Sequence, residues 1–483
     1  MVALRRDGAG QEDIVSKAYR IGFALVDEHS SYNAAFGLAS IVEARGHEAV
    51  FFVDDGTVFS RAVTLQGFKS AAKPSGHEPH IHKPAKAGKF RLWKRLKNRA
   101  INNRLEQDFL AALLKSNSLD LCFLDAIRYD LYPFALALAQ AGVPTLLLSP
   151  TFASEFGARH PPVFSSMASP GATRLGLPFS AMRVMRWLWA LATRGHGQAF
   201  GRVEYLRILV RKWLDQMRNV SFEWKLRRLG CRSAWSEYRR RPLIPQIVFG
   251  HRALDWPDLA ADPHRCYFGT TDQFRKNSEF NWPAIDPGKP VVYCNLSTIN
   301  GFDRPAASGS EDQVARAGFS RVRFRMAKRY VEAVLDCFSQ QAGWQLFIAC
   351  GPFYTALKGV VRAPNIHLFE RLPQLAILKE ADLAITWGGA GTVRECISLG
   401  VPMIILPAWT DQFGNAARVV SCSIGLRGDL MRVTPDQLKH MVERVLTDRQ
   451  FGVSLDGLRK QSNAGQEIDG ILRFVQQHTG LSL

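Results

Sequence analysis

The chain has 483 residues, 47% of them hydrophobic, and 62 Lys and Arg against 43 Asp and Glu give a formal net charge of +19. The hydrophobic fraction excludes a largely disordered protein, and the length predicts two or three domains with sizeable cores. No apolar run reaches the roughly 18 residues of a membrane span, and residues 1–20 lead into no signal-peptide core, so we expect neither a transmembrane helix nor a cleaved leader.

Strands alternate with helices in the first third of the chain. The apolar run Arg20–Val26 predicts a buried strand, and residues 33–45 have apolar side chains at helical spacing before Gly46, a typical C-terminal cap. Further predicted elements are strands at 49–53, 119–124 and 145–148 and a helix at 132–140. This alternation predicts an α/β domain with a parallel, doubly wound sheet.

The positive charge is concentrated in two segments of the first half. Residues 83–104 contain nine Lys or Arg and no acid, and residues 171–241 contain sixteen against four acids, which leaves the rest of the chain near neutral. Tryptophans lie among these cations, at positions Trp93, Trp187, Trp189, Trp213, Trp224 and Trp235. Such a mixture is typical of an anionic membrane surface, which we favour, but also of single-stranded nucleic-acid binding or of a solvated face whose tryptophans belong to the core.

The alternation of strands and helices restarts after a stretch rich in turn residues, 271–289, which predicts a linker. The second set has predicted strands at 291–296, 345–350, 383–386 and 403–406 and a helix at 326–338. We therefore predict two Rossmann-like domains, at 1–270 and 290–455, that face a cleft. The two basic segments would be insertions in the first domain, and a helix within 456–483 would pack back on it.

A glycine loop follows the predicted strand at 383–386. Gly388, Gly389 and Gly391 allow close backbone approach, and a helix that begins at Thr392 favours bound phosphate, so the loop suits a diphosphate. Thr392 and Glu395 also have the spacing of a capping box, in which case they only begin the helix.

The wider stretch 372–416 resembles the donor-binding signature of the UDP-glycosyltransferase family, inverting transferases with the two-domain GT-B fold. Residue type and spacing agree, in the shorter bacterial form, at Pro373-Gln374, Gly388-Gly389, Thr392, Glu395, Gly400-Val401-Pro402, Pro407, Asp411-Gln412 and Asn415-Ala416. Weaker agreement extends to Arg45-Gly46-His47, Asp125, Ala253-Leu254-Asp255-Trp256-Pro257 and Leu296-Ser297-Thr298. The resemblance implies a bacterial-type glucosyl, glucuronosyl or rhamnosyl transferase that binds the acceptor in its first domain and the UDP-sugar in its second.

The resemblance also implies roles for the matching residues. Pro373 and Gln374 would hold the uracil through their backbone, Glu395 would bind the ribose hydroxyls, and Asp411 and Gln412 would bind the donor sugar. The expected diphosphate contacts are Ser297, Thr298, Gly389, Gly391 and Thr392, and Trp387 and Gly388 are expected to belong to the same donor site.

Trp387 is one of two departures from the family, which has a phosphate-contacting histidine at that position. An indole donates one N–H and carries no charge, so Arg394 or a basic residue across the cleft would have to neutralise the diphosphate.

Because the eight cysteines form no CxxC pair, we expect free thiols and no zinc site. We expect no other metal and no cofactor besides the donor.

The second departure concerns the base that takes the acceptor's proton in an inverting transfer. The family uses a histidine after the first strand, oriented by an aspartate that Asp125 matches. Gapless alignment places Ser31 at the histidine position, with His29 two residues earlier. We predict His29 and Asp125 as the catalytic pair, after a small loop adjustment; otherwise Asp27, Glu28 or Asp125 itself would serve.

Together these patterns predict an inverting hexosyltransferase that moves a sugar from UDP to a hydroxyl of a lipophilic or lipid-linked acceptor. We expect a cytoplasmic protein, peripheral at the inner face of the membrane. The alternative is a catalytically altered nucleotide-sugar-binding or partner module, suggested by Trp387 and the displaced histidine. A nucleic-acid binder is disfavoured, because such binding has no use for the Asp411-Gln412 pair.

Overall fold

The computed structural model describes residues 17–72, 118–126, 132–152, 245–274, 280–296, 321–361, 363–408 and 411–483. The basic segments 83–104 and 171–241 lie outside these ranges, as do Ser297 and Thr298, so the predictions about them are not addressed by the structure. Within the described ranges, every helix is too short or too polar to cross a bilayer. Helices and strands of these ranges are numbered in chain order.

The first sheet has seven parallel strands in the order β3-β2-β1-β4-β5-β6-β7. Its strands are β1 (Arg20–Ala24), β2 (Glu48–Val53), β3 (Lys69–Ala72), β4 (Leu121–Asp125), β5 (Thr145–Ser149), β6 (Gln246–Val248) and β7 (Arg265–Tyr267). Its helices are α1 (His29–Ala44), α2 (Val58–Gln66), α3 (Tyr132–Gln140) and α4 (Pro257–Ala260). The central strands are buried along almost their whole length, as expected for a parallel sheet covered on both faces.

The second sheet has six parallel strands in the order β10-β9-β8-β11-β12-β13. They are β8 (Val291–Asn295), β9 (Gln345–Ala349), β10 (Ile366–Phe369), β11 (Leu383–Thr386), β12 (Met403–Ile405) and β13 (Gly425–Arg427). The helices are α5 (Arg321–Ser339), α6 (Tyr354–Leu357), α7 (Gln374–Glu380), α8 (Ala390–Leu399), α9 (Gln412–Ser421), α10 (Pro435–Thr447), α11 (Gln450–Gln461) and α12 (Ala464–Thr479). Two parallel, doubly wound sheets confirm the predicted fold class.

Helix α1 begins at His29, four residues before the predicted start at Asn33. The extra turn is stabilised by Tyr32, which is 1% exposed and stacks on Phe59 with ring centroids 4.8 Å apart. Gly46 has a φ of +79° just after the helix, which confirms it as the C-terminal cap.

Five strands were not predicted from the sequence, namely β3, β6, β7, β10 and β13. Each has three or four residues and lies at a sheet edge or next to one. Runs this short show no usable alternation of polar and apolar residues. The chain ends on α12, whose Ile471, Phe474 and Val475 are buried in the core of the first sheet.

Candidate functional site

The glycine loop lies between β11 and α8, at the carboxyl end of the second sheet. Gly388 has a φ of +85°, and a Cβ added there would lie 2.5 Å from Cγ2 of Ile405, so only glycine fits. A Cβ on Gly389 or Gly391 would meet no atom within 4 Å. The first glycine is therefore required by the backbone, whereas the other two border open space that a ligand can occupy.

Helix α8 begins at Ala390, with Gly389 as an N-cap that makes no side-chain capping bond. The capping-box interpretation of Thr392 and Glu395 is therefore wrong, because both residues lie inside the helix. The first N–H groups of a helix have no intrahelical partner and favour an anion together with the helix dipole. The open space beside Gly389 and Gly391 adjoins this helix start.

Gln374, the first residue of α7, joins three parts of the second domain. Its Nε2 donates to Oε2 of Glu395 over 2.5 Å and to Oγ1 of Thr392 over 3.3 Å. Its Oε1 accepts from Nδ2 of Asn295 over 2.7 Å and from the hydroxyl of Tyr293 over 3.1 Å. Three predicted site residues thus meet at one place, at the end of β8.

Tyr293 and Asn295 were not singled out from the sequence as site residues. A signal was present, since an amide at the end of the otherwise apolar strand β8 needs a hydrogen-bonding partner. Burial raises the pKa of the Tyr293 hydroxyl, and the nearby Glu395 raises it further, so Tyr293 stays a neutral donor to Gln374.

Arg394, proposed from the sequence to neutralise a diphosphate, is 3% exposed and faces protein carboxylates. Its Nη2 lies 3.9 Å from Oε1 of Glu395, itself 3% exposed. Burial raises the pKa of the Asp272 carboxyl, and the charge of Arg394 opposes that rise. The charge of Arg394 is therefore partly compensated by two buried acids of the protein itself.

The Trp387 side chain lies in the hydrophobic core and does not line the cleft. The ring is 0% exposed and packs edge-on against Tyr330, with centroids 5.7 Å apart. Any contact between Trp387 and a diphosphate would thus have to use its backbone, which corrects the expectation that the indole takes the place of the family histidine.

Asp411 and Gln412 begin α9 and have different surroundings. Nδ2 of Asn415 donates to Oδ2 of Asp411 over 3.0 Å and to the carbonyl oxygen of Gly388 over 2.8 Å, which ties the glycine loop to α9. The Gln412 side chain is 0% exposed, and its Oε1 accepts from the backbone N–H of Ala408 over 2.9 Å. Asp411 is therefore placed at the loop, whereas Gln412 stabilises the preceding turn in this structure.

His29 and Asp125 lie near the carboxyl ends of the adjacent strands β1 and β4. Oδ2 of Asp125 accepts from the backbone N–H of Val26 over 3.4 Å, and the carboxyl is buried. The His29 ring is partly exposed and packs against Phe59 with centroids 5.0 Å apart. Ser31, at the family's histidine position by gapless alignment, is 1% exposed inside α1, whereas His29 is partly exposed at the start of that helix.

Tyr32 is a further polar residue of this region that the sequence did not indicate. Burial raises the pKa of its hydroxyl, and the charges of Asp27, Asp54 and Asp125 raise it further. The phenol therefore stays protonated beside three carboxylates.

Among the residues that the structure describes, no group of three His, Cys, Asp or Glu is arranged to hold a metal ion.

Buried polar contacts next to α8 join the two halves of the chain. Nδ1 of His251 lies 2.8 Å from the Ser462 hydroxyl, and its Nε2 lies 3.4 Å from the carbonyl oxygen of Arg394. Burial lowers the pKa of His251 to about 4, so the ring is neutral. The Ser398 hydroxyl on α8 donates to Oδ1 of Asp272 over 3.1 Å.

Comparison with known proteins gives matches to glycosyltransferases. Residues 356–467 match the family model of the erythromycin biosynthesis protein CIII-like C-terminal domain. Oleandomycin glycosyltransferase of Streptomyces antibioticus is 29% identical over 167 residues, which cover 35% of this chain and 37% of that protein. The chain spans 37% and 54% of the length of two curated relatives that it matches.

Solved structures match over nearly the whole chain. The glycotransferase of kitacinnamycin has a TM-score of 0.60 at 20% identity, covering 95% of this chain and 100% of its own. Spinosyn rhamnosyltransferase SpnG, complexed with thymidine diphosphate, has a TM-score of 0.52 at 15% identity, covering 92% and 95%. These matches confirm the predicted GT-B fold.

Proposed function

We propose that this chain is a member of the UDP-glycosyltransferase family and an inverting hexosyltransferase that uses a pyrimidine nucleoside diphosphate sugar, with UDP as the nucleotide. The observation that carries the proposal is the hydrogen-bonded group of Gln374, Thr392 and Glu395 beside the open glycine loop. A carboxylate is suited to ribose hydroxyls, and a helix start to a diphosphate.

In the proposed reaction the acceptor oxygen attacks the anomeric carbon on the face opposite the diphosphate. The bond between that carbon and the phosphate oxygen breaks, and a base takes the acceptor's proton. His29 is the proposed base, with Asp125 orienting it. The start of α8 stabilises the charge that develops on the leaving diphosphate. Asp411 is the proposed partner of the sugar hydroxyls.

The acceptor of this proposal is a lipophilic or lipid-linked hydroxyl compound at the inner face of the membrane. Two observations support it: the basic, tryptophan-rich segments 83–104 and 171–241 in the first half, and the relatives whose names include oleandomycin and spinosyn. Basic residues among indoles favour an anionic lipid surface.

The experiment measures release of UDP and of TDP from a panel of nucleotide sugars by the purified full chain. It is run without acceptor, with hydrophobic hydroxyl compounds and with a total lipid extract, and the anomeric configuration of each product is read by NMR. Turnover with inversion supports the proposal. Tight UDP binding without turnover across the panel would instead identify a nucleotide-sugar-binding module.

The membrane part has its own test. Sedimentation with vesicles of neutral lipid, with and without an anionic lipid, is compared at physiological salt. Stronger sedimentation with anionic vesicles supports membrane contact. Equal sedimentation with both kinds of vesicle removes that part of the proposal while leaving the transfer reaction in place.

A further inference from the structure

A buried ion pair joins the two halves of the chain behind α9. Nη2 of Arg418 donates to Oδ1 of Asp255 over 2.8 Å, and the two side chains are 1% and 0% exposed. The guanidinium also lies between the rings of Phe152 and Trp256, 4.8 Å from each centroid. A planar guanidinium can stack on both rings while it donates in its own plane, which an ammonium group cannot do.

The partner carboxylate is held in place by other groups of the first half. Oδ1 of Asp255 also accepts from the backbone N–H of Trp256 over 2.9 Å, and Oδ2 accepts from the hydroxyl of Tyr267 over 2.9 Å. Phe152 follows β5, Asp255 and Trp256 follow β6, and Tyr267 ends β7, so all these partners belong to the first half of the chain. Among the described residues, Arg418 is the second-half side chain that forms the ion pair with Asp255.

Helix α9 connects this pair to the glycine loop. Asp411, Asn415 and Arg418 are separated by four and three residues, so they lie along one face of the helix. Asn415 holds Asp411 and the carbonyl of Gly388, one turn before Arg418. A continuous set of buried contacts thus runs from the glycine loop through α9 to the first sheet, whose β4 ends at Asp125.

We propose that Arg418 is a positioning residue for sugar transfer, which sets the distance between the donor at the glycine loop and the acceptor side of the cleft. This inference rests on the proposed function. Donor and acceptor are bound by different halves in that function, so their reacting atoms meet only if the halves are held in register. A misplacement of about 1 Å can cost on the order of 100-fold in rate.

The test compares Arg418→Lys, which keeps the charge but not the planar fork, and Phe152→Leu, which removes one stacking ring. Arg432→Met is the matched control, because Arg432 pairs with Asp429 on the surface with side chains 74% and 54% exposed. For each variant we expect a folded protein, UDP affinity within about twofold of wild type, and kcat for transfer lowered about tenfold or more in the two test variants. Unchanged kcat in both, or loss of kcat in proportion to UDP affinity, would overturn the proposal.

A distance measurement makes the test independent of turnover. Spin labels on p-acetylphenylalanine at positions 65 and 360, where Leu65 is 81% and Val360 73% exposed, report the separation of the halves without using the native thiols. We expect a broader distance distribution in Arg418→Lys and an unchanged one in Arg432→Met. An unchanged distribution in Arg418→Lys would reject the positioning role. A wild-type protein with no turnover would overturn the proposed function, whereas the distance distribution would still decide whether Arg418 holds the halves together.

Discussion

The side-chain amide of Gln374 donates a hydrogen bond of 2.5 Å to Oε2 of Glu395, which joins the start of α7 to the interior of α8. The two residues are 21 positions apart. They belong to the parts of the sequence motif that we assign to uracil binding and to ribose binding. Glu395 is 3% exposed, so this hydrogen bond pairs a buried carboxylate with an amide donor.

Replacement of Glu395 by Gln should weaken UDP binding. The amide lacks the charge that makes carboxylate hydrogen bonds strong, and a charged hydrogen bond contributes about 1.5–3 kcal/mol, so we expect a loss of roughly 10- to 100-fold. Isothermal titration calorimetry with UDP measures it. Glu443→Gln is the control, since Glu443 pairs with Lys439 on the surface of α10 and should bind UDP like wild type.

Replacement by alanine should change protein stability in opposite directions at Gly388 and at Gly391. Gly388→Ala imposes a left-handed backbone on alanine and a clash with Ile405, so the free energy of unfolding should fall by about 2–4 kcal/mol. Gly391→Ala meets no atom and removes a glycine from α8, so stability should rise by up to about 1 kcal/mol. UDP affinity should nevertheless fall in Gly391→Ala if the diphosphate lies there. Urea denaturation measures the two changes in stability, and isothermal titration calorimetry measures the change in UDP affinity.

Asn415 should stabilise the loop through its single amide donor group. Asn415→Ala leaves the Gly388 carbonyl and the Asp411 carboxylate without that donor, which should cost about 1–3 kcal/mol. Asn415→Asp should cost more, because it places a second carboxylate beside Asp411 where the donor was 3.0 Å away. Equal stability of the two variants in urea would contradict this account.

Substitutions can distinguish the catalytic role predicted for His29 from the roles of Ser31 and Asp125. His29→Ala should lower kcat by roughly 100- to 10,000-fold while UDP affinity stays the same, because general base catalysis contributes on that scale. Ser31→Ala should leave kcat within a few fold, since Ser31 is buried in α1. If Asp125→Asn abolishes turnover while His29→Ala does not, Asp125 is itself the base.

His251 should make the protein less stable in acid. Burial lowers its pKa from 6.5 to about 4 in the folded protein, so between these pH values the unfolded chain binds more protons. The free energy of unfolding should therefore fall as pH decreases from about 6.5 to about 4, by on the order of 3 kcal/mol in total.

His251→Gln should remove the part of the pH dependence of stability that His251 contributes. The acids Asp272 and Glu467, whose pKa values are raised by burial, titrate in both the wild type and the variant. Thermal unfolding from pH 4 to pH 7 measures the difference. The control is His440→Gln, which changes an exposed histidine of α10 and should leave the slope as in wild type.

Several features of the site did not follow from the sequence because they depend on which neighbours bury a side chain. The spacing of Thr392 and Glu395 fits a capping box, but α8 starts two residues earlier and both side chains bond to Gln374. Trp387 aligns with a phosphate-binding histidine, but its ring fills the core against Tyr330. Sequence position shows where a residue lies along the chain, not which way its side chain points.

The sequence by itself determined the doubly wound α/β class, the glycine loop and the set of residues around it, because hydrophobic periodicity and motif spacing are local properties of the chain. Only the tertiary structure decided that Arg394 compensates buried acids, that Gln412 is turned inward, and that Arg418 joins α9 to Asp255. Arg418 and Asp255 are 163 positions apart, and the energies of all three contacts depend on burial, which tertiary packing creates. The positive charge of the first half is a property of the sequence alone, whereas the link between that half and the donor helix is a property of the fold.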